Sequence, residues 1–492
     1  MNPAFDISII IPAKDEEKRL PRFLQTIADH CRKSPLTYEV IVVDDGSSDG
    51  TAQAAESFRP ALTHLTVLRL AHNRGKGFAV KSGFFAARGE IVLFLDADGS
   101  TPVEEIERNL HYLKESFDII IGSRVIQNQD CRVNALAYRR WIGIIFNFLV
   151  HNLLIKNIKD TQCGFKMFRR SIIRPLFGRV YLNGFGFDLE TLFIAEKMGY
   201  KIKEVAVNWT HVDGSKINLF KDSLRMFFNI IQIKNWHYTP INTSAQHMSV
   251  EELANMYQQE KKHWWFMAKE DFIQRIISSL AISPRRTLDA GCGTGHNLEF
   301  LRNKTSYAGM DVAHEALQFC RHNGIERLAQ GNLEDVGFKD KSFDLILALD
   351  VIEHCEDPER AVSQFKRLLS DDGYLLVTAP AFRFLWSPHD ESLSHMRRYN
   401  KKDLEILLSG EGFEIKKIGF LYCSTFLPVA AIRMVRKIFI KTKDPRSDTF
   451  TTPAPLINRI MHAILRLESR LIPSIPLPFG TSLYAVAVKR DK

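Results

Sequence analysis

The chain has 492 residues, of which 45% are hydrophobic and 25% are charged, and its formal net charge is +9 at pH 7. A single hydrophobic core stops growing at about 250–300 residues, so this length predicts more than one domain. The ordinary composition excludes a wholly disordered chain. The positive charge is too diffuse to predict nucleic-acid binding, and it suits contact with phosphates or an anionic membrane face.

The seven cysteines show no CxxC pair and no Cys/His ligand spacing. This pattern argues against a disulfide framework and against a structural zinc site, and it favours a reducing compartment. The first residues lack the basic and apolar segments of a secretory signal. The apolar stretches 141–155, 418–432 and 471–488 are short, or are interrupted by proline. Because a spanning helix needs about 20 apolar residues, we predict no transmembrane helix.

Two series of short β-rich runs alternate with helical patterns, one starting at Ile7 and the other at Thr287. Such alternation predicts parallel α/β architecture, and because the two series do not align, it predicts a fusion of two different folds. A polar, proline-containing segment follows the helical run 220–234, and Ser249 and Glu252 then hold N-cap and capping-box positions. We therefore predict a first domain at 1–236, a linker at 237–249, and a second domain at 250–492 with a basic and apolar C-terminal extension.

Acidic residues follow two predicted strands of the first domain. Asp44 and Asp45 come after one strand, and their carboxylates suit a base N–H or a ribose hydroxyl. Asp96 and Asp98 come after another, and two carboxylates one residue apart suit Mg²⁺ or Mn²⁺, although acidic loops are common without a metal. The loop 73–77 (NRGKG) offers backbone N–H groups and two cations, which predicts a phosphate cradle.

Residues 5–235 resemble the inverting GT-A glycosyltransferases, and more narrowly the dolichyl/polyprenyl-phosphate hexose synthases. The matching segments are 9–17 (IIIPAKDEE), 42–51, 73–77, 96–98, 121–124, 160–168 (DTQCGFKMF), 184–190 (GFGFDLE) and 207–216 (VNWTHVDGSK). The last three are most similar to the dolichyl-phosphate glucosyltransferases. The pair Lys14-Asp15 departs from the pattern, which often has an aromatic residue and Asn there.

The resemblance implies that a hexose, glucose from UDP-glucose, is transferred with inversion to a polyprenyl or dolichyl phosphate. It implies catalytic roles for Asp98, Arg124 and Asp188, and a Mg²⁺ or Mn²⁺ ion on Asp96 and Asp98. The nucleotide-sugar donor would be bound by Pro12, Glu16, Asp44, Asp45, Lys76 and Asp96. GDP-mannose as the donor, or a glycan hydroxyl as the acceptor, is the alternative.

A lipid phosphate is already ionised at neutral pH, so the acceptor needs cations more than it needs a general base. The candidate cations are Arg124, Arg139, Arg140 and Lys216. Asp188 and Glu190 occupy the place where transferases with sugar acceptors carry their base; here they would catalyse, orient sugar hydroxyls or cap a helix near Leu189. The apolar run 141–155 and the helix 216–234 suit docking onto a bilayer surface, with a core or interface helix as the alternative for the apolar run. The basic amphipathic segment 420–444 suits an anionic membrane surface or a partner helix, and we expect a cytoplasmic enzyme that is peripheral at the inner face of the cell membrane.

Glycines at 291, 293 and 295 close the first strand of the second domain, and acidic or amide residues follow the next strands. Over 250–420 this series resembles the class I methyltransferases. The resemblance implies S-adenosylmethionine binding by Asp289, Gly291, Gly293, Gly295, Asp311, Asn332 and Leu333, with Asn332 standing where Asp is usual. An oxygen acceptor would need a base, for which His354 and His389 are candidates beside Asp390 and His395.

Taken together, these features predict a bifunctional enzyme that moves a hexose and a methyl group. The methyl acceptor is not defined, beyond a related sugar or lipid. The alternative is a second domain that binds S-adenosylmethionine, or acts as a scaffold, without catalysing a reaction.

Overall fold

The structure is a computed structural model of the chain. It describes residues 4–126, 133–134, 150, 154–155, 157–210, 212, 219–235, 248–280, 283–302, 304–439, 452–472 and 474–489. The chain divides into two compact units, Met1–Pro240 and Ile241–Lys492. Most of the predicted linker lies outside the described residues, so the domain bounds stay a prediction. Ser249 caps the first helix of the second unit by accepting the Glu252 backbone N–H at 3.1 Å, which confirms the predicted helix start.

The first unit contains the strands β1 (Phe5–Ala13), β2 (Tyr38–Asp44), β3 (Leu65–Arg69), β4 (Gly89–Leu95), β5 (Ile119–Ser123), β6 (Val133–Asn134), β7 (Phe165–Arg169), β8 (Ile202–Ala206) and β9 (Trp209–Thr210). Its described helices are α1 (Leu20–Lys33), α2 (Thr51–Glu56), α3 (Lys76–Ala86), α4 (Glu105–Glu115), α5 (Arg170–Phe177), α6 (Phe187–Lys197) and α7 (Leu219–Asn235). The main sheet has the order β3-β2-β1-β4-β7-β5-β8, and β6 pairs with β9 separately.

Helices cover both faces of this sheet. Ile9 and Ile11 of β1 point into a core shared with α1 and α4, whereas Ile10 points into the opposite core with α3, α5 and α6. All three isoleucines are fully buried, because successive strand residues face opposite sides and both sides are covered. Burial of each such side chain stabilises the fold by about 1.5–3 kcal/mol.

The second unit contains the strands β10 (Arg286–Ala290), β11 (Ser306–Asp311), β12 (Leu328–Gln330), β13 (Phe343–Leu349), β14 (Leu369–Pro380), β15 (Phe413–Leu421) and β16 (Ser482–Lys489). Its described helices are α8 (Val250–Gln259), α9 (Trp264–Ser279), α10 (His296–Leu301), α11 (His314–His322), α12 (Pro358–Leu368), α13 (Pro388–Ser392), α14 (Lys401–Gly410), α15 (Cys423–Phe439) and α16 (Pro455–Leu471). The sheet order is β12-β11-β10-β13-β14-β16-β15.

Each sheet has a switch point where the chain reverses its direction of travel across the sheet. In the first unit the strands run outward from β1 to β3 and then resume at β4 on the other side of β1. In the second unit the same reversal separates β10 from β13. Ligands in open α/β sheets bind at the carboxyl ends of the strands beside such a point. We therefore expect the binding sites among the residues that follow β1, β4, β10 and β13.

One strand in each main sheet departs from the parallel arrangement that the sequence predicts. β7 runs antiparallel to β4 and β5, and β16 runs antiparallel to β14 and β15. The apolar stretch 418–432 contains the end of β15 and the start of α15, which are separated by Tyr422 with a φ of 61°. Helix α16 was not predicted from the sequence. Among the described residues, no helix is both long enough and apolar enough to cross a membrane.

Candidate active sites

The carboxyl end of β4 carries the acidic pair of the first unit. Asp96 Oδ1 lies 2.6 Å from the ammonium group of Lys76, the first residue of α3. Burial would raise the pKa of Asp96, but the charge of Lys76 foremost, followed by Lys166 and Arg124, holds it below its usual value. Gly164 leaves room for this carboxylate, since a Cβ at residue 164 would lie 2.0 Å from Asp96 Oδ2.

Asp98 lies in the turn that follows Asp96. Its Oδ1 accepts the backbone N–H of Ser100 at 3.0 Å, which fixes the side chain in the turn. Asp96 and Asp98 are both only partly buried, and carboxylate oxygens are the donors that Mg²⁺ and Mn²⁺ prefer. The donor set therefore fits such an ion.

A buried ion pair lies behind the acidic pair. Lys166 of β7 donates to Asp188 Oδ1 at 2.6 Å, and the two side chains are only 1% and 3% exposed. Lys166 also donates to the Cys163 carbonyl at 2.8 Å. Burial raises the pKa of Asp188, against the opposing charges of Lys166 and Lys76. The prediction named Asp188 but missed Lys166, although it lies in a matched segment, because nothing local in the sequence shows that these residues meet.

Arg124 follows β5 and is held by Asp160. Its Nε and Nη2 donate to the Asp160 carboxylate at 2.8 and 2.9 Å, and its backbone N–H donates to the same group at 2.9 Å. The guanidinium also lies 5.5 Å from the centroid of the Trp209 ring. Burial would lower the pKa of Arg124, but Asp160 raises it above the usual value. The bidentate pair orients the predicted phosphate-binding guanidinium.

The loop 73–77 does not form the backbone cradle that the sequence predicts. Both carboxylate oxygens of Asp45 accept its N–H groups, from Arg74 at 2.6 Å and from Gly75 at 2.8 Å. The Gly77 N–H donates to the Asn183 carbonyl at 2.7 Å. That part of the prediction is wrong, because these donors are already used inside the protein.

The other residues predicted to bind the donor lie around the carboxyl ends of β1 and β2. Asp44 Oδ1 accepts the Ser47 N–H at 2.9 Å, and Glu16 accepts Arg19 Nε at 2.7 Å. Pro12 pairs with Val43 in the register of β1 and β2. Glu190 is fully buried, and its Oε2 accepts the N–H groups of Tyr181 and Leu182. Arg139, Arg140 and Lys216 lie outside the described residues.

In the second unit, the glycine loop follows β10 as predicted. Gly291, Gly293 and Gly295 all have positive φ, at 80°, 53° and 93°. A Cβ at Gly291 would lie 2.4 Å from Val351 Cγ2, so both the conformation and the space require glycine there. The Gly293 N–H donates to Asp311 Oδ2 at 2.9 Å, which connects the loop to the end of β11.

Asp289 of β10 lies beneath this loop and is fully buried. Neither of its carboxylate oxygens has a hydrogen bond within 3.5 Å among the described residues. Burial raises its pKa to about 7, partly opposed by nearby Asn297 and Lys269. A buried carboxylate without a close donor is costly, so it fits a cationic group of a ligand such as the ammonium of S-adenosylmethionine.

The residues after β12 and β13 complete the second site. Asn332 is exposed and its Oδ1 accepts the Glu334 N–H at 2.8 Å, while Leu333 is buried. The His395 ring centroid lies 4.9 Å from that of His354 and 6.1 Å from that of His389. The structure thus brings the two predicted bases together around a third histidine.

Comparison with known proteins agrees with both units. Residues 8–177 match the family Glycosyl transferase family 2, and residues 288–377 match a Methyltransferase domain family. Dolichyl-phosphate beta-glucosyltransferase of Dictyostelium discoideum is 37% identical over 240 residues, which cover 46% of this chain and 73% of the relative. The Homo sapiens protein of the same name is 37% identical over 246 residues, which cover 47% and 76%.

Two solved structures show weaker likeness. A SAM-dependent methyltransferase from Archaeoglobus fulgidus has 20% identity and a TM-score of 0.29, covering 44% of this chain and 91% of that one. Glucosyl-3-phosphoglycerate synthase from Mycobacterium tuberculosis has 17% identity and a TM-score of 0.37, covering 50% and 84%. The identity to the curated relatives, over more than two thirds of their length, decides the family. The chain belongs to the dolichyl-phosphate β-glucosyltransferase family within glycosyl transferase family 2, and it also contains a methyltransferase domain.

Proposed function

We propose that the first unit transfers glucose from UDP-glucose, with inversion, to a dolichyl or polyprenyl phosphate. The observation that carries the proposal is the set of ordered cations beside the acidic pair: Lys76 contacts Asp96, and the charges of Lys166 and Arg124 also act on that carboxylate. Transfer between two phosphate-bearing substrates needs cations in fixed positions, because the negative charge of donor and acceptor must be held together in line.

Each group of this site has a role in the proposal. Lys76 and Arg124 contribute charge toward phosphate oxygens, and Asp160 keeps the guanidinium of Arg124 oriented. Asp96 and Asp98 would hold a Mg²⁺ or Mn²⁺ ion, which when bound neutralises charge on the departing nucleoside diphosphate. Lys166 is paired with the buried Asp188 and adds positive potential to the site.

The state of Asp188 favours a phosphate acceptor over a glycan hydroxyl. A hydroxyl acceptor needs a general base that can reach it. Asp188 is buried, and its Oδ1 is already paired with Lys166 at 2.6 Å. A phosphate acceptor needs no such base, so this pairing supports the lipid-phosphate proposal.

The test is a transfer assay with radiolabelled UDP-glucose, dolichyl phosphate and Mg²⁺, with GDP-mannose in a parallel reaction. We expect label from UDP-glucose to be extracted into organic solvent. If only GDP-mannose gives extractable label, the donor is GDP-mannose and not UDP-glucose. If the label is released only as water-soluble sugar, the acceptor is not a lipid phosphate.

We propose that the second unit binds S-adenosylmethionine at its glycine loop and transfers the methyl group to a sugar- or lipid-linked acceptor. The support is the buried Asp289 beneath the loop, together with Asp311 at the end of β11. When bound, the cofactor supplies an activated methyl group, and the protein has mainly to position the acceptor. Detection of methyl transfer to a lipid extract would separate this proposal from a scaffold that only binds the cofactor.

Binding of S-adenosylmethionine should weaken as the pH falls below 7. The pKa of Asp289 is about 7 in the free protein, so lowering the pH from 7.5 to 6 removes most of the charged form and should raise the Kd about 5–10-fold. Isothermal titration calorimetry measures this change. In Asp289→Asn the binding should be weaker and nearly independent of pH, and that variant also controls for titration of the ligand. An equal pH dependence in both proteins would contradict the role of Asp289.

We also propose that the protein docks peripherally at the inner face of the cell membrane. Helix α16 exposes Leu456, Ile460, Ile464 and Leu467, and α7 exposes Phe227 and Phe228. Exposed apolar residues at helical spacing suit insertion among lipid headgroups. We expect the protein to float with anionic liposomes, and Leu456→Ser/Ile460→Ser to float markedly less. Equal recovery of both proteins in the lipid-free fraction would refute docking.

A further inference from the structure

Glu353, His354 and His395 bring one carboxylate and two imidazoles together beyond the carboxyl end of β13. A potential metal-ligand atom from each residue lies within 4.8 Å of the other two. Glu353 and His395 are buried, and His354 is half-buried. His395 Nε2 lies 3.9 Å from Glu353 Oε1. These are two nitrogen donors and one oxygen donor that face one small volume.

Backbone contacts fix the two loops that carry this cluster, which we call the Glu-His-His cluster. The Met396 N–H donates to the Glu353 carbonyl at 2.9 Å. The Tyr399 hydroxyl donates to the Ile352 carbonyl at 3.1 Å, and Arg397 Nη2 donates to the Glu356 carbonyl at 3.2 Å. The backbone of both loops is therefore held in place before any ligand arrives.

Two further observations indicate that the cluster receives a cation. Neither carboxylate oxygen of Glu353 has a hydrogen-bond partner within 3.5 Å among the described residues, although the side chain is fully buried. Asp390 Oδ1 lies 3.0 Å from His395 Nδ1 and is itself held by Arg398 Nε at 2.7 Å. A histidine that binds a metal through one ring nitrogen usually donates from the other ring nitrogen to a carboxylate or a carbonyl. Asp390 occupies that second position at His395.

We propose that Glu353, His354 and His395 bind one divalent metal ion. Two imidazoles and a carboxylate suit a transition metal such as Zn²⁺, Fe²⁺ or Mn²⁺. Metal–ligand bonds of about 2.0–2.2 Å place ligand atoms roughly 3–3.5 Å apart, so binding requires the side chains to close by about 1 Å. Three protein ligands leave a position for a water or for an oxygen of the methyl acceptor. This site differs from the acidic pair of the first unit and does not depend on the proposed transfer reactions.

The experiment uses the full chain carrying Asp98→Ala, so that the acidic pair of the first unit contributes little metal binding. After dialysis against a chelator, Zn²⁺ binding is measured by calorimetry and Co²⁺ binding by visible absorption. We expect one equivalent of metal per chain and a Co²⁺ absorption band. Glu353→Gln and His354→Ala should each raise the Kd by about 100-fold or more and remove the band. His322→Ala, an exposed histidine on α11, is the matched control and should bind as its parent does.

Thermal unfolding and S-adenosylmethionine binding show whether each variant is folded. If Glu353→Gln does not fold, His354→Ala decides the question, because that side chain is only half-buried. Metal bound with unchanged affinity in the folded variants would overturn the proposal. Failure of the parent to bind Zn²⁺ or Co²⁺ would overturn it as well.

Discussion

Replacing Asp98 with alanine should reduce glucosyl transfer to dolichyl phosphate by about 100-fold to 1,000-fold, since a catalytic metal contributes several kcal/mol and each 1.4 kcal/mol corresponds to a factor of ten. Asp98 is fixed in its turn by the Ser100 N–H, and with Asp96 it provides the carboxylates at the carboxyl end of β4. Its loss leaves Asp96, already paired with Lys76, to hold the ion. Initial rates at saturating UDP-glucose measure the effect.

The control for this variant is Asp29→Ala, which removes a half-buried carboxylate of α1 in the same unit that accepts hydrogen bonds from Gln25 and Arg32 of its own helix. It should transfer glucose at the wild-type rate. Raising the Mn²⁺ concentration should partly restore activity in Asp98→Ala, because the change weakens metal binding. Wild-type turnover in Asp98→Ala, or turnover in the wild type that a chelator does not affect, would remove the metal from the proposed reaction.

The site residues that sequence reasoning identified are those whose signal is local. Asp96 and Asp98 follow a buried run directly, and Gly291, Gly293 and Gly295 lie within five consecutive positions. The sequence predicts both groups at strand ends, and they lie directly after β4 and β10. The family relationship is likewise visible from contiguous segments.

The features that were missed depend on which distant strands are neighbours. Lys166 and Asp188 are 22 residues apart, and Arg124 and Asp160 are 36 apart. They meet because β7 is inserted antiparallel between β4 and β5, an arrangement that an alternating α/β pattern does not predict. The cradle at 73–77 failed for a related reason. A glycine-rich loop predicts available N–H groups only if no carboxylate of another strand end, here Asp45, accepts them first.

A large loss of stability is expected when the buried ion pair Lys166–Asp188 is broken. Lys166→Met should lower the free energy of unfolding of the first unit by about 3–5 kcal/mol, because it leaves Asp188 buried without its counter-charge. For a unit of this size that corresponds to roughly 10 °C in Tm, followed by thermal unfolding. The loss should be smaller at pH 5 than at pH 8. Burial already raises the pKa of Asp188, and without Lys166 that pKa rises further, so acid lets the buried carboxyl take up a proton.

The double variant Lys166→Met/Asp188→Leu separates stability from catalysis. It removes both charges and replaces them with apolar groups of similar size, so most of the lost stability should return. If the positive charge of Lys166 also serves the transfer reaction, the double variant should remain inactive although its Tm recovers. Recovery of both Tm and glucosyl transfer would show that the pair only stabilises the fold, and would leave Lys76 and Arg124 as the cations that act on the phosphates.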